Sequence, residues 1–201
     1  MIIDVSSAEV VKVYQALVGI VTPRPIAWVT TVDGEGRVNL APFSFFNAFG
    51  ANPPVVVFSP TLRRDGSRKD TLLNLQCVGE FVLNAAVENL GQQMNMTSKE
   101  LPRGQSEAAF VGLTLAPSLK VKPPRVAESP VHMECRLCQI MSIGEGPIAA
   151  NLVIGEVLLI HIDDSVLDAK GQVDPRKLRT IARLGGNYYC RSIDLFEMER
   201  P

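Results

Sequence analysis

The stretch Asn39–Phe49, "NLAPFSFFNAF", holds four of the chain's eight phenylalanines and sets Ser44 and Asn47 among them. On its N-terminal side "PRPIAWVTT" alternates with a period of two. Ile26, Trp28 and Thr30 fall on one face of that strand, and Ala27, Val29 and Thr31 on the other. On its C-terminal side "NPPVVVFS" reads as a further strand, Val55–Ser59. The stretch is therefore read as a turn between strands. A hydrophobic turn plugging one end of a barrel accounts for the phenylalanines, but not for Ser44 or Asn47. A ligand with a flat apolar body and a polar edge accounts for both.

Working outward, "DGEG" (Asp33–Gly36) is a hairpin-type turn and "RVNLAPF" the returning strand. "GEFVLNAA" (Gly79–Ala86) is a strand, as are the long segments "VHMECRLCQIMSI" and "NLVIGEVLLIHI". Helices are fewer. Ser6 and Glu9 fit a capping box ahead of Val10, Val13, Tyr14 and Leu17 at helical spacing. "TLLNLQ" is a short helix, and another carries Val87, Leu90 and Met94. Asp174 and Pro175 are the N-cap and first residue of a last helix in "DPRKLRTI". The Pro-rich "LAPSLKVKPPRVAESP" is expected to run extended over the surface. Strands outnumber helices and successive strands can pair as hairpins, so the class is a mainly antiparallel β barrel with a few helices.

The chain has 201 residues, and with neither internal repeat nor low-complexity linker it is expected to form one domain, 1–201. It is 46% hydrophobic and 20% charged, with 20 Lys and Arg against 21 Asp and Glu. That near-neutral balance favours neither nucleic acid nor an anionic membrane as partner. No apolar run reaches the ~20 residues of a membrane-spanning helix, and the N-terminus does not read as a signal peptide. Four cysteines make no disulfide scaffold at this length, and cytoplasmic residence is expected.

Cys135 and Cys138 form a C-x-x-C, yet within a strand an offset of three puts them on opposite faces, and Cys77 and Cys190 are isolated. They are read as structural thiols, with no metal site. His132 and His161, the only histidines, sit in apolar strands without a nucleophile motif and are read as satisfied or surface groups. The loop Pro60–Thr71 is different. It gathers Arg63, Arg64, Ser67, Arg68, Lys69 and Thr71 before a helix N-terminus, the donor set that a phosphate monoester requires. A solvated charged loop is the plain alternative. In "RLGGNYY" (Arg183–Tyr189) the paired glycines permit close backbone approach.

From "TPRPIAWVTTVDGEGRVNLAPFSFFNAFGANPPVVVFSP" through "DGSRKDTLLNL", "KPPRVAESPVHMECRL" and "NLVIGEV" to "RLGGNYY", the chain resembles the flavin reductase-like, FMN-binding split-barrel family. The resemblance runs from about Gly19 to Tyr189. It implies an antiparallel six-stranded split barrel and a homodimer with FMN near the subunit interface. By the same resemblance Thr30, Ser44, Phe45 and Asn47 match positions that hold the isoalloxazine. Ser59, Arg68, Lys69, Asp70 and Thr71 match the phosphate-binding segment, with Arg64 assisting and Tyr188 near the flavin. The implied activity is an oxidoreductase in which NADH or NADPH passes hydride to flavin N5, with no catalytic side chain required. Backbone N–H groups at the ring's N1–O2 edge would stabilise reduced flavin. The chain has no G-x-G-x-x-G, so the nicotinamide would stack directly on the ring. The rival readings are an FMN electron carrier reduced by a redox protein partner, and a barrel that has lost its flavin.

Overall fold

The computed structural model describes residues 1–199. One antiparallel sheet of seven strands dominates, in the order β2-β1-β5-β8-β9-β4-β3. Its strands are β1 (Ala27–Val32), β2 (Val38–Phe43), β3 (Phe46–Ala51), β4 (Pro54–Phe58), β5 (Glu80–Ala85), β8 (Val131–Ile143) and β9 (Ala150–Ile162). β6 (Leu115–Ala116) and β7 (Arg125–Val126) form a minor hairpin, and β10 (Ile181–Arg183) with β11 (Tyr189–Arg191) another. The helices are α1 (Val10–Ile20), α2 (Asp70–Val78), α3 (Gly91–Met96), α4 (Glu107–Phe110) and α5 (Pro175–Leu178).

This is the mainly β split-barrel class expected, with one correction: the sheet has seven strands, not six. The extra strand comes from the opening stretch itself. Only Ser44 and Phe45 form the turn, and Phe46–Ala51 pairs with β4, shifting register between Ala48 and Gly50. The two strand ends adjoining that turn, β2 and β3, are the free edges of the sheet, which is where the barrel is split.

The period-two reading of β1 holds, and both its faces are covered. Ala27 and Val29 join one core with Phe43, Phe58, Phe81 and Leu83. Ile26 and Trp28 join a second with Leu40, Val87, Leu90 and Met94. The Trp28 indole N–H donates to Thr97 Oγ1 at 2.9 Å, so the one polar atom of that side chain is satisfied. Phe81 fills space that only a glycine leaves open in β9, because a Cβ on Gly155 would lie 2.3 Å from the ring. β8 and β9 are 13 residues each. The Asp33–Gly36 turn closes β1–β2 as read, with Asp33 Oδ1 accepting from the Glu35 and Arg37 N–H groups. Asp174 caps α5 by accepting from the Arg176 N–H. The Pro-rich segment is less extended than expected, since β6 and β7 fold it back on itself.

α1 departs from its expected start. Ser6 does not cap the helix; its N–H and hydroxyl both go to Asp4 Oδ1, and Glu9 makes no capping bond. The turn organised by Asp4 uses up the serine, and the helix begins at Val10. Its apolar stripe also stays open: Val10, Tyr14 and Leu17 are exposed.

Candidate functional site

The β2–β3 turn distributes its phenylalanines to different surroundings. Phe43 enters the core and packs on Phe58, ring centroids 5.5 Å apart. Phe46 faces a separate apolar pocket with Leu83, Met133 and Ile181, and Phe49 is exposed. Phe45 meets Tyr14 of α1 edge-on at 6.3 Å. With Leu17, Ser59, Ala150 and Leu152 these two rings line an apolar groove of about 390 Å³. Ser59 is fixed at its floor, its N–H donating to Phe45 O at 2.9 Å and its Oγ accepting from the Asn151 N–H at 3.2 Å. The Ser44 hydroxyl accepts from Arg24 Nε at 3.3 Å.

A second, polar cleft lies at the start of α2. Asn39, Phe43, Arg63, Lys69, Asp70 and Thr71 line it. Lys69 is the N-cap residue and supplies no side-chain cap, so the first-turn N–H groups of α2 have no cap from it. Its ammonium sits 5.4 Å from the Phe43 ring centroid. Burial, and then the neighbouring Arg63 charge, hold the Lys69 pKa below its ordinary value. Asp70 does not face a ligand alone: its carboxylate accepts from Arg103 at 2.7 Å and from Arg63 at 3.4 Å. Thr71 Oγ1 accepts from Asn39 Nδ2 at 2.9 Å. Glu107, also on the cleft, accepts from the Leu40 N–H at 2.9 Å, and burial raises its pKa.

The structure thus places Phe45 and Ser59 on the groove, and Lys69, Asp70 and Thr71 on the cleft. Phe43 and Phe45, two residues apart, connect the two. Ser44 lines neither cavity and is bonded to Arg24 in the turn beside Phe45, and the other residues expected at the site lie apart from both as well. Thr30 is 0% exposed and its hydroxyl accepts from Asn84 Nδ2 at 2.8 Å, an interior bond. Asn47 is exposed and accepts from the adjacent Ala48 N–H. Arg64 occupies the exposed tip of the Arg63–Gly66 turn, and Arg68 is exposed with Nη1 donating to Gln76 Oε1 at 3.3 Å. The Tyr188 side chain is 74% exposed. The close backbone approach expected of "RLGG" is real but internal, since a Cβ on Gly185 would lie 3.4 Å from Gly19 Cα at the end of α1.

Three contributors were not read from the sequence. By sequence Tyr14 belongs to a helix stripe, Asn151 to a strand, and Arg24 to no motif. The signal for Arg24 is a lone cation between two prolines at the head of an uncharged strand. Cys135 is buried, with its thiol pKa pushed far up by burial, and Cys138 is exposed, so the two do not share a surface. His161 Nε2 lies 2.6 Å from Glu134 Oε1, and His132 Nε2 2.8 Å from Val126 O. Both histidines are therefore satisfied on one ring nitrogen.

Comparisons with known proteins bear on the family and the fold. The flavin reductase like domain family matches residues 20–182. An uncharacterised protein of Deinococcus radiodurans is 42% identical over 195 residues, covering 93% of this chain and 84% of that protein. Nitrilotriacetate monooxygenase component B from Bacillus cereus superposes with a TM-score of 0.92 at 35% identity, covering 98% of each chain. The 2-nitrobenzoate 2-nitroreductase of Pseudomonas fluorescens superposes with a TM-score of 0.89 at 32% identity, covering 100% of this chain and 96% of that one.

Proposed function

The chain belongs to the flavin reductase like domain family, and from that premise we propose that it is an FMN-binding oxidoreductase that takes hydride from NADH or NADPH and passes electrons to an acceptor. The observation that carries this reading is the pairing of an apolar, aromatic-walled groove with a cationic cleft through one short turn. The residues fit FMN. The groove is within the size range of small-molecule sites, and the cleft offers the Lys69 ammonium, Arg63 and an uncapped helix N-terminus to a phosphate. The names of the two similar solved proteins, a monooxygenase component and a nitroreductase, both denote redox work.

Bound FMN supplies the hydride-accepting ring. The chain's part is to hold it. Phe45, Tyr14 and Leu152 wall the ring from water, and the Ser59 hydroxyl serves its polar edge. Lys69 and the first N–H groups of α2 take the phosphate. Asp70 keeps Arg63 and Arg103 in place, and Lys69, among the described residues, has no bonded carboxylate. Among the described residues no acid or base is required, because hydride carries its own electron pair. The open apolar stripe of α1 supports a homodimer in which a second copy covers the groove.

The test is a visible spectrum of the FMN-reconstituted protein, followed by anaerobic titration with NADH and with NADPH. Bound flavin that bleaches with one of them is the expected result. Flavin that binds and stays oxidised makes the protein an electron carrier served by a redox partner, and failure to bind flavin overturns the proposal.

A further inference from the structure

Arg24 is 5% exposed, yet it makes no ion pair among the described residues. Its Nη1 donates to Val18 O at 2.6 Å and Val21 O at 2.8 Å, and Nη2 to Leu184 O at 3.1 Å. Nε donates to Ser44 Oγ at 3.3 Å, and the guanidinium carbon lies 6.0 Å from the Phe45 ring centroid. Every acceptor is neutral. Its electrostatic neighbours are the Tyr14 phenol and Arg183, the latter of like sign. The other arginines near the site contrast with this, since Arg63 and Arg103 share Asp70.

Burying an unpaired cation is costly. The α1 carbonyl end offsets part of that cost, because a helix C-terminus carries partial negative charge. A helix end accounts for the two Nη1 bonds. It does not account for the Nε bond to Ser44 and the approach to Phe45, the turn beside the groove; Nη2 is taken by Leu184 O.

We propose that Arg24 is the positioning and electrostatic residue of the ring site, its buried charge held behind Ser44 and Phe45 to stabilise the negative charge that hydride brings to the bound ring. This rests on the flavin reading above. Hydride delivers one proton and two electrons to a neutral ring, leaving oxidised nicotinamide and a ring of one negative charge, so the step needs no other reactant. In a buried site a fixed cation favours that anion, because little solvent screens it.

The experiment uses the FMN-loaded full chain as wild type, Arg24→Lys and Arg24→Gln. It reads the midpoint potential of the bound flavin, its dependence on pH, and the melting temperature of each apoprotein. Wild type is expected to take up one proton per two electrons around neutral pH. Arg24→Gln is expected to lose about tenfold in binding of reduced relative to oxidised flavin, a fall of about 30 mV for a two-electron couple. Arg24→Lys should keep most of the wild-type potential. An unchanged potential in Arg24→Gln, with only the melting temperature lowered, makes Arg24 a plain clamp and overturns the inference. Uptake of two protons by wild type overturns it as well, and that reading needs no variant to fold. Wild type that binds no flavin overturns the functional reading together with this one. Flavin bound at a potential indifferent to Arg24 overturns this one alone.

Discussion

The groove under α1 and the cleft at α2 lie along one turn and are built on opposite principles. The groove is walled by Tyr14, Leu17, Phe45 and Leu152, with Ser59 bonded into its floor. The cleft is walled by Asn39, Arg63, Lys69, Asp70 and Thr71 and is crossed by ion pairs. An apolar wall binds by removing surface from water and makes no use of a distant phosphate. A half-buried ammonium over an aromatic face is held at a cost until an anion arrives. The two cavities should therefore respond differently to FMN and to riboflavin, which lacks the phosphate.

The sharpest break is Phe45→Ala. Loss of the ring wall should cost about 2 kcal/mol, or about thirtyfold in affinity, for FMN and riboflavin alike. Fluorescence titrations with both ligands check this, and a loss confined to FMN would place the ring elsewhere. Lys69→Met should then weaken FMN by about tenfold while leaving riboflavin unchanged. The same variant should raise the apoprotein melting temperature by about 2 °C. The sign follows from the lowered Lys69 pKa. Between its folded value and 10.5 the unfolded chain holds more protons than the folded one, so stability rises with pH across that window, and Met removes the rise. Equal losses for the two ligands would remove phosphate from the cleft.

The smallest effect tests the interior. Thr30→Val takes one acceptor from Asn84 Nδ2, which keeps Trp28 O at 3.0 Å. Stability should fall by about 1 kcal/mol with flavin affinity unchanged. A variant of native melting temperature that binds flavin poorly would return Thr30 to the ring site.

Much of this was legible because it depends on neighbours in the chain. Alternation marks β1, the Asp33–Gly36 turn marks β2 as its hairpin partner, apolar runs mark β4 and β5, and Asp174 with Pro175 marks the start of α5. β3 was missed because Gly50 and the prolines at 53 and 54 bound an aromatic run that has no alternation of apolar with polar residues. α1 was given the wrong cap because Asp4 competes for Ser6, a contest between two local hydrogen bonds that spacing does not rank.

The candidate site divides in the same way. The residue types in "FSFFN" and "SRKDT" are enough to indicate an aromatic wall beside a phosphate-binding cation, because those chemistries reside in single side chains. Which of them share a cavity was decided by the fold. β1 is covered on both faces, which draws Thr30 inward, and alternation alone cannot distinguish a second core from a ligand site. The Arg63–Gly66 turn carries Arg64 outward, and Asp70 is held by Arg63 and Arg103. Arg24 shows the limit most plainly. Its bonds reach Val18, Ser44 and Leu184, the last 160 positions away, and contacts across such distances exist only once the sheet has brought the ends of the chain together.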